Sequence, residues 1–469
     1  MGSPGYSVTF RADDLKKLRG LLFPGDGRES VAFALCSAAS SPDRTRLLVR
    51  EIISLPDSAY LSRGSDEVAW STRPLIPLLG RIESEGLSLL KCHSHPGGST
   101  IFSSLDDESD RGLLSACYQW NPSGIHGSLV LSDLDAAARI VTESGQFLPV
   151  GLVNVVGDRL RSFRPNRLED AVSAPEQQRL VQAFGEGTYR ALKGLRIAVV
   201  GASGIGSLVA EALQRTGVGE LLIVDNDRVE VVNLNRILHA TQSDASARVH
   251  KTRIVGRSAL EMGLGTRVME FPAKLQGPNV IQAIAGCDLI MGCVDNREAR
   301  HLLCRIAAFY LLPYIDAGVA IRAEANGDIG SITAGIHYLQ PGQSFISRGV
   351  FDLEALRADS LQRNDPEHYA EQRKQGYVSG VEVERPAVMP LNMIAAGFSV
   401  MELLARIHGY REGLEEDQRA ADTLISVDMG FIRQQSDQSM CPGLSKHLGH
   451  GDTNPPLGMP ALSLREDVA

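Results

Sequence analysis

Residues 195–206 read LRIAVVGASGIG, an apolar strand that runs through a glycine turn into a helix. This segment constrains the fold more than any other. A strand feeding a helix through glycines lets a phosphate approach the backbone and sit on the helix N-terminus. The spacing is Gly201, Gly204 and Gly206, with Ser203 between. The pattern predicts a strand over 196–200, a helix over 206–215 and a strand over 220–224. Apolar runs at 288–294 and 313–316 follow, with a helical stretch over 297–310 between them. Strand–helix–strand repetition implies a parallel sheet with helices on both faces, an α/β domain. Asp225 ends the second strand, where a carboxylate can bind a ribose hydroxyl. Taken alone, the turn fits a NAD-dependent dehydrogenase nearly as well as an ATP enzyme.

The chain before this point reads differently. Val31–Cys36, Arg46–Ser54, Leu87–His95, Ser128–Leu131 and Ala138–Val141 look like strands, and Asp106–Cys117 looks like a helix. Without strict alternation they predict an α+β domain over 1–155. A polar, partly basic stretch at 156–174 with Pro165 reads as a linker, and the second domain runs over 175–430. Within it, residues 352–376 are strongly polar and read as an exposed helical or mobile excursion. Residues 431–469 hold Pro442, Pro455, Pro456 and Pro460 and read as a loosely ordered tail. The length of 469 residues is consistent with two to four domains. A net charge of -9 argues against a broad nucleic-acid surface. Seven cysteines without a C-x-x-C pair point to reduced thiols and a cytoplasmic setting. Neither a signal peptide nor a membrane span is expected, because no stretch reaches about 18 uncharged apolar residues.

Two constellations carry chemistry. In HSHPGGSTIFSSLDD, over 93–107, His93 and His95 are two apart on a strand and so face the same side. Two imidazoles there can chelate zinc, and Asp107 at the start of the following helix can fold back as a third ligand. Two His and one Asp leave a fourth position open for water, the catalytic arrangement. Glu29, just before an apolar strand, is the candidate base. The stretch resembles the JAMM (MPN-plus) metalloprotease motif: an upstream Glu, then His93-x-His95-Pro96, seven residues, and Ser104-x-x-Asp107. The resemblance implies that His93, His95 and Asp107 hold Zn2+, that Glu29 activates the water, and that Ser104 stabilises the oxyanion. It also implies cleavage of isopeptide or peptide bonds after the C-terminus of ubiquitin-like proteins. Cys92 abuts the pair, but strand alternation turns it to the opposite face.

The second constellation follows the glycine turn in VDNDRVEVVNLNRI. Asp225-x-Asp227, then Asn233-Leu234-Asn235-Arg236, resembles the Rossmann-like adenylating domain of the ubiquitin-activating superfamily, which includes the ThiF and MoeB sulfur-carrier adenylyltransferases. Ser203 stands where that family usually has a glycine. By this resemblance Gly201, Gly204, Gly206, Asp225, Asp227 and Asn233 cradle ATP, and Lys251 and Arg236 neutralise its phosphates. Asp295, in Cys293-Val294-Asp295-Asn296, handles Mg2+, and Arg179 reaches the ATP site of a partner subunit, which implies a homodimer. The resemblance covers about 175–410.

Two departures from that family stand out. The stretch IHYLQPGQSFISRG lacks the cysteine pairs of a structural zinc, so no second zinc is expected. Residues 325–440 hold no cysteine, so no thioester nucleophile is expected. Cys36, Cys117, Cys287, Cys293 and Cys304 read as core thiols, and Ser379 is a candidate hydroxyl acceptor. The expectation is a bifunctional enzyme. A zinc peptidase would trim or deconjugate a ubiquitin-like or sulfur-carrier protein, and an adenylyltransferase would activate its C-terminal glycine. A conjugating-enzyme homologue is a possible further partner, with no nucleic acid and no membrane. The alternatives are a NAD-binding oxidoreductase domain fused to a metal-binding domain, a non-catalytic scaffold that binds a ubiquitin-like protein, and a peptidase acting on some other peptide.

Overall fold

The computed structural model describes residues 5–164, 175–323, 328–364, 369, 388–411 and 420–463. Ser379 and parts of the expected linker and polar excursion lie outside these residues. The chain divides into two units. The first comprises 1–170, 309–311 and 448–457, and the second comprises the remainder.

The first unit contains β1 (Gly5–Arg11), α1 (Ala12–Leu22), β2 (Val31–Ser41), β3 (Arg44–Ser54), β4 (Tyr60–Arg63) and β5 (Val68–Trp70). Next come α2 (Ile76–Glu85), β6 (Ser88–Ser94), α3 (Ser104–Cys117), β7 (Gly127–Leu131), β8 (Ala136–Val141), β9 (Phe147–Val156) and β10 (Arg161–Phe163). The main sheet has eight strands in the order β1-β3-β2-β6-β7-β8-β9-β10, and β1 also pairs with β9, so seven of them close on themselves. Period-two alternation sorts the side chains of β2. Ala32, Ala34 and Cys36 join a core that includes Leu15, Leu18 and Leu22 of α1. Val31, Phe33 and Leu35 join a second core with Leu78 and Ile82 of α2 and Leu114 of α3. The same alternation on β6 puts Leu90 and Cys92 in the α1-side core. His93 therefore faces the α3 side, and Cys92 points away from it, as the spacing predicts.

The second unit begins with α4 (Gln178–Lys193), β11 (Arg196–Val200), α5 (Gly204–Arg215), β12 (Glu220–Val224), α6 (Gln242–Ser246) and α7 (Lys251–Met262). It continues with β13 (Arg267–Phe271), α8 (Pro278–Ala285), β14 (Leu289–Gly292), α9 (Arg297–Tyr310), β15 (Tyr314–Ala323), β16 (Ile329–Leu339) and α10 (Leu353–Asn364). The last elements are α11 (Met389–His408), β17 (Asp422–Ser426), β18 (Phe431–Gln435) and α12 (Pro460–Ser463). Its sheet runs β13-β12-β11-β14-β15-β16-β17-β18, parallel from β13 to β15 and antiparallel beyond. The parallel strands are apolar runs because both faces are covered: Ile197–Val200 and Leu221–Val224 are almost wholly buried. The strand order reverses between β11 and β14. That reversal is the point where open α/β sheets bind ligands, beyond the carboxyl ends of the strands.

Two sequence expectations change. Part of the expected linker is strand, since β10 pairs antiparallel with β9. The expected loose tail carries defined structure through Ser463. Ser40 N–H donates to Asp452 Oδ2 at 2.7 Å and Asp452 N–H donates to Ala38 O at 2.9 Å, which ties residues 448–457 to the edge of β2. Gly451, at φ 66°, allows this because a Cβ there would collide with the Ala38 carbonyl. Proline and glycine content reads as looseness in a sequence, but here it serves a close backbone approach. Helix α11 is long and apolar enough to cross a membrane by length and composition alone, but 61% of its most apolar window is buried in the protein. It packs on α5, β15 and β16, and it carries a buried ion pair, Arg406 Nη2 to Glu402 Oε1 at 2.6 Å.

Candidate functional site

In the first unit, β6 delivers His93 and, one step beyond its end, His95. The chain then turns through Pro96 and two positive-φ glycines, Gly97 and Gly98, and enters α3. Ser103 caps that helix. Its hydroxyl accepts from Asp106 N–H, and the Asp106 carboxylate accepts from Ser103 N–H at 2.8 Å, a closed capping box. The box aims the other Asp106 oxygen at the histidines. His93 Nε2 lies 3.1 Å from Asp106 Oδ1 and 3.2 Å from His95 Nε2, and His95 Nε2 lies 3.7 Å from Asp106 Oδ2. Ligand atoms of His93, His95 and Asp106 all fall within 4.8 Å of one another.

Asp107, the expected third ligand, points elsewhere. It pairs with Arg139 Nη1 at 2.5 Å, beside the buried Arg139–Asp110–Lys91 network. Ser104 is the exposed first residue of α3, while Ser103 makes the cap. Both corrections are a shift of one residue. Helical residues turn by about 100°, so neighbours on α3 cannot share one direction.

Electrostatics fit the cluster. Burial pushes the His93 imidazole down, which favours the neutral form that ligates metal. The hydrogen bond to Asp106 pushes His95 up. Burial opposes ionisation of Asp106, but the two imidazoles and the Ser103 amide hold its carboxyl well below the usual range. His95 Nδ1–H donates to Ser99 O at 2.9 Å, which leaves Nε2 free to ligate. Two imidazoles and a carboxylate form a donor set that suits Zn2+. Glu29 stands 3.6 Å from His95 Nε2 and is 6% exposed. Burial raises its pKa, the direction a general base needs. Its backbone is held by Arg63, whose Nε donates to Glu29 O at 3.0 Å and whose Nη2 donates to Ser30 Oγ at 2.6 Å.

In the second unit the glycine turn lies at the strand-order reversal. Gly201 has φ 94°, and a Cβ there would come 2.5 Å from Cys293 O. A Cβ on Gly206 would strike Gly201 O. These glycines leave the helix N-terminus open at the sheet edge. Asp225 locks the turn: its Oδ2 accepts from Ala202 N–H at 2.7 Å and its Oδ1 from Asp227 N–H at 2.8 Å. Burial raises the pKa of Asp225. Lys251 is buried at the first position of α7 and donates from Nζ to Asp227 Oδ2 at 2.8 Å. Asn233 is buried and closes a small capping box with Glu230. Arg236 donates to Val232 O at 2.9 Å, and its Cδ lies 3.3 Å from where a Gly204 Cβ would stand. Asp295 is exposed beyond β14 and accepts from Asn296 Nδ2 at 3.2 Å. Arg179 is exposed on α4 and bonds to Gln182 at 3.3 Å, apart from this constellation.

Sequence reasoning missed Asn392 on α11. It is 1% exposed, its Nδ2 and Oδ1 have no partner among the described residues, and Nδ2 crowds the place where a Gly204 Cβ would stand. A lone amide in the apolar stretch LNMIAAGF was the available signal. Among the cysteines, burial pushes the Cys117 thiol up to about 11 and those of Cys36, Cys92 and Cys304 further.

The chain resembles known proteins over part of its length. It is 30% identical over 152 residues to the "Adenylyltransferase and sulfurtransferase UBA4" of Meyerozyma guilliermondii, a match covering 32% of this chain and 35% of that protein. It is 26% identical over 168 residues to the "Ubiquitin-like modifier-activating enzyme 5" of Drosophila persimilis, covering 33% and 41%. The matches thus span well under half the length of these relatives. Among solved structures, E. coli MccB with ATP aligns with a TM-score of 0.43 at 18% identity, covering 58% of this chain and 73% of that one. A model of the ThiF family matches residues 176–442, more than half of the sequence, and the chain belongs to that family.

Proposed function

We propose that the second unit adenylates the C-terminal glycine of a ubiquitin-like or sulfur-carrier protein. The observation that carries this reading is the glycine turn at the strand-order reversal, where Cβ-free positions leave a cradle at a helix N-terminus beside Arg236 and Asp225. In the reaction a carboxylate oxygen attacks the α-phosphorus of ATP. The bond from that phosphorus to the bridging oxygen breaks, and pyrophosphate leaves with the electron pair. Arg236 and Lys251 offset the charge that builds on the phosphates, with Lys251 exchanging its Asp227 partner for phosphate. Asp295 would hold Mg2+ through one carboxylate. Arg179 would serve the partner subunit of a homodimer. The names of the relatives support the substrate class. The raised thiol pKa values of Cys36, Cys92, Cys117 and Cys304 support adenylation without a thioester at those positions. The reading is tested by pyrophosphate exchange with a carrier that ends in glycine: Asp295→Ala should abolish it, and retained exchange would remove Asp295 from Mg2+.

A second activity rests on the other constellation. We infer that the first unit is a JAMM-type zinc peptidase that trims or deconjugates the same carrier. His93, His95 and Asp106 would hold the ion, with Asp106 in the role expected of Asp107. Zinc held there would supply Lewis acidity towards a carbonyl and water. Glu29, buried beside His95, would serve as the base that holds the proton, and Arg63 fixes the backbone that carries Glu29. Ser103 rather than Ser104 stands beside the ligand set. Glu29→Gln should keep zinc yet lose cleavage of a carrier with a C-terminal extension, and undiminished cleavage would discard the role.

A further inference from the structure

Asn392 is the fourth residue of α11, its neighbours one turn on are the buried Ala395 and Ala396, and the helix packs on α5. A buried side-chain amide normally satisfies both ends, because leaving one unpaired costs about 1–3 kcal/mol. Here both ends are without a partner among the described residues, at 1% exposure. The amide is also admitted on purpose. Its Nδ2 takes the space of a Cβ at Gly204, the first residue of α5, and Arg236 Cδ bounds the same spot at 3.3 Å. A donor and an acceptor therefore lie without a partner among the described residues, beside the first residue of α5 and the stem of Arg236.

We propose that Asn392 binds the last peptide bond of the carrier protein whose C-terminal carboxylate is adenylated. The choice of ligand follows from the two free ends. A phosphate offers only acceptors, so it could satisfy Nδ2 and would leave Oδ1 unpaired. A peptide unit offers one donor and one acceptor and can pair both ends. A carboxylate attacking the α-phosphate brings its preceding peptide bond along, since successive Cα atoms are only about 3.8 Å apart. The amide thus orients the attacking glycine, and Gly204 is glycine to make room for it. This assignment rests on the adenylation reading above.

The test uses the full chain and a synthetic peptide ending in Gly-Gly, with a companion peptide whose final peptide nitrogen is methylated. Asn392→Leu, close in volume, removes both polar ends. Pyrophosphate exchange gives KM for each peptide, and calorimetry gives Kd for ATP. The expected result is a peptide KM raised about tenfold in the variant, the scale of a lost buried hydrogen-bond pair, with ATP Kd within about twofold. Methylation should cost the wild-type chain a similar factor and cost the variant nothing. The variant should melt no lower than wild type, because no hydrogen bond of the folded chain is removed. An unchanged peptide KM, an ATP Kd weakened as much as the peptide KM, or a lowered melting temperature would each overturn the assignment alone. ATP binding without exchange in the wild-type chain would instead overturn the adenylation reading, and this assignment with it.

Discussion

At the scale of single residues, the His93–His95–Asp106 cluster shows where sequence legibility ends. The histidine pair follows directly from strand alternation, and Cys92 is correctly turned away. The carboxylate does not follow, because Ser103-Ser104-Leu105-Asp106-Asp107 contains two overlapping Ser-x-x-Asp registers. Only the helix start separates them, and the closed box of Ser103 with Asp106 selects the earlier one. Asp106→Asn should therefore weaken zinc binding by roughly a hundredfold or more, beyond what even outer partners of a ligand contribute. Asp107→Asn should leave it within a few-fold and lower stability instead, because it removes one of the two carboxylates paired with Arg139. Zinc titration of both variants by calorimetry decides, and equal losses would restore Asp107 as a ligand. A second residue links protonation to folding. His126 is buried, accepts from Leu89 N–H at 3.0 Å, and has its pKa lowered by burial to about 4. The unfolded chain takes up that proton nearer pH 6.5, so stability should fall as pH drops from about 6.5 to 4. The full effect is on the order of 3 kcal/mol. His126→Asn, which keeps an acceptor, should flatten that part of the urea-unfolding profile, and an unchanged slope would assign the acid sensitivity to carboxylates.

At the scale of elements, the glycine turn was legible because it is local. Strand β11, the turn, α5 and β12 all sit close to where the apolar periodicity puts them, since parallel strands buried on both faces leave few alternatives. Elements held by distant partners were not legible. β1 pairs with β3 and β9 across most of the first unit, and the 448–457 segment is ordered by contacts to β2 that no local pattern announces. The turn glycines also make a stability prediction. Gly206→Ala would drive a methyl into Gly201 O and should cost about 1–3 kcal/mol, with loss of ATP binding. Gly187→Ala, in the helical part of α4 with nothing near the new methyl, should gain about 0.5–1 kcal/mol. Thermal melts with and without ATP separate the two, and a tolerated Gly206→Ala would mean that the turn relaxes and is not the phosphate cradle.

At the scale of the whole molecule, the two constellations lie in separately organised units, and each was legible as a set where its members singly were not. Neither unit's fold dictates chemistry, since one sheet architecture hosts many activities. What joins them is substrate logic: adenylation needs a free terminal carboxylate, and a carrier with residues beyond its last glycine does not present one at the right place. The proposed peptidase would create it. With a carrier already ending in Gly-Gly, Glu29→Gln should exchange pyrophosphate at the wild-type rate, because Glu29 belongs to the other unit. With a carrier extended by a few residues, the same variant should show exchange reduced by at least about tenfold, since a misplaced carboxylate loses the orientation on which the rate depends. Adding pre-trimmed carrier should restore it. Asp295→Ala should behave in the opposite way, trimming the extended carrier normally and exchanging with neither. Mass spectrometry of the carrier follows trimming while labelled pyrophosphate follows adenylation. If Glu29→Gln exchanged equally with both carriers, the two units would not act in sequence on one substrate.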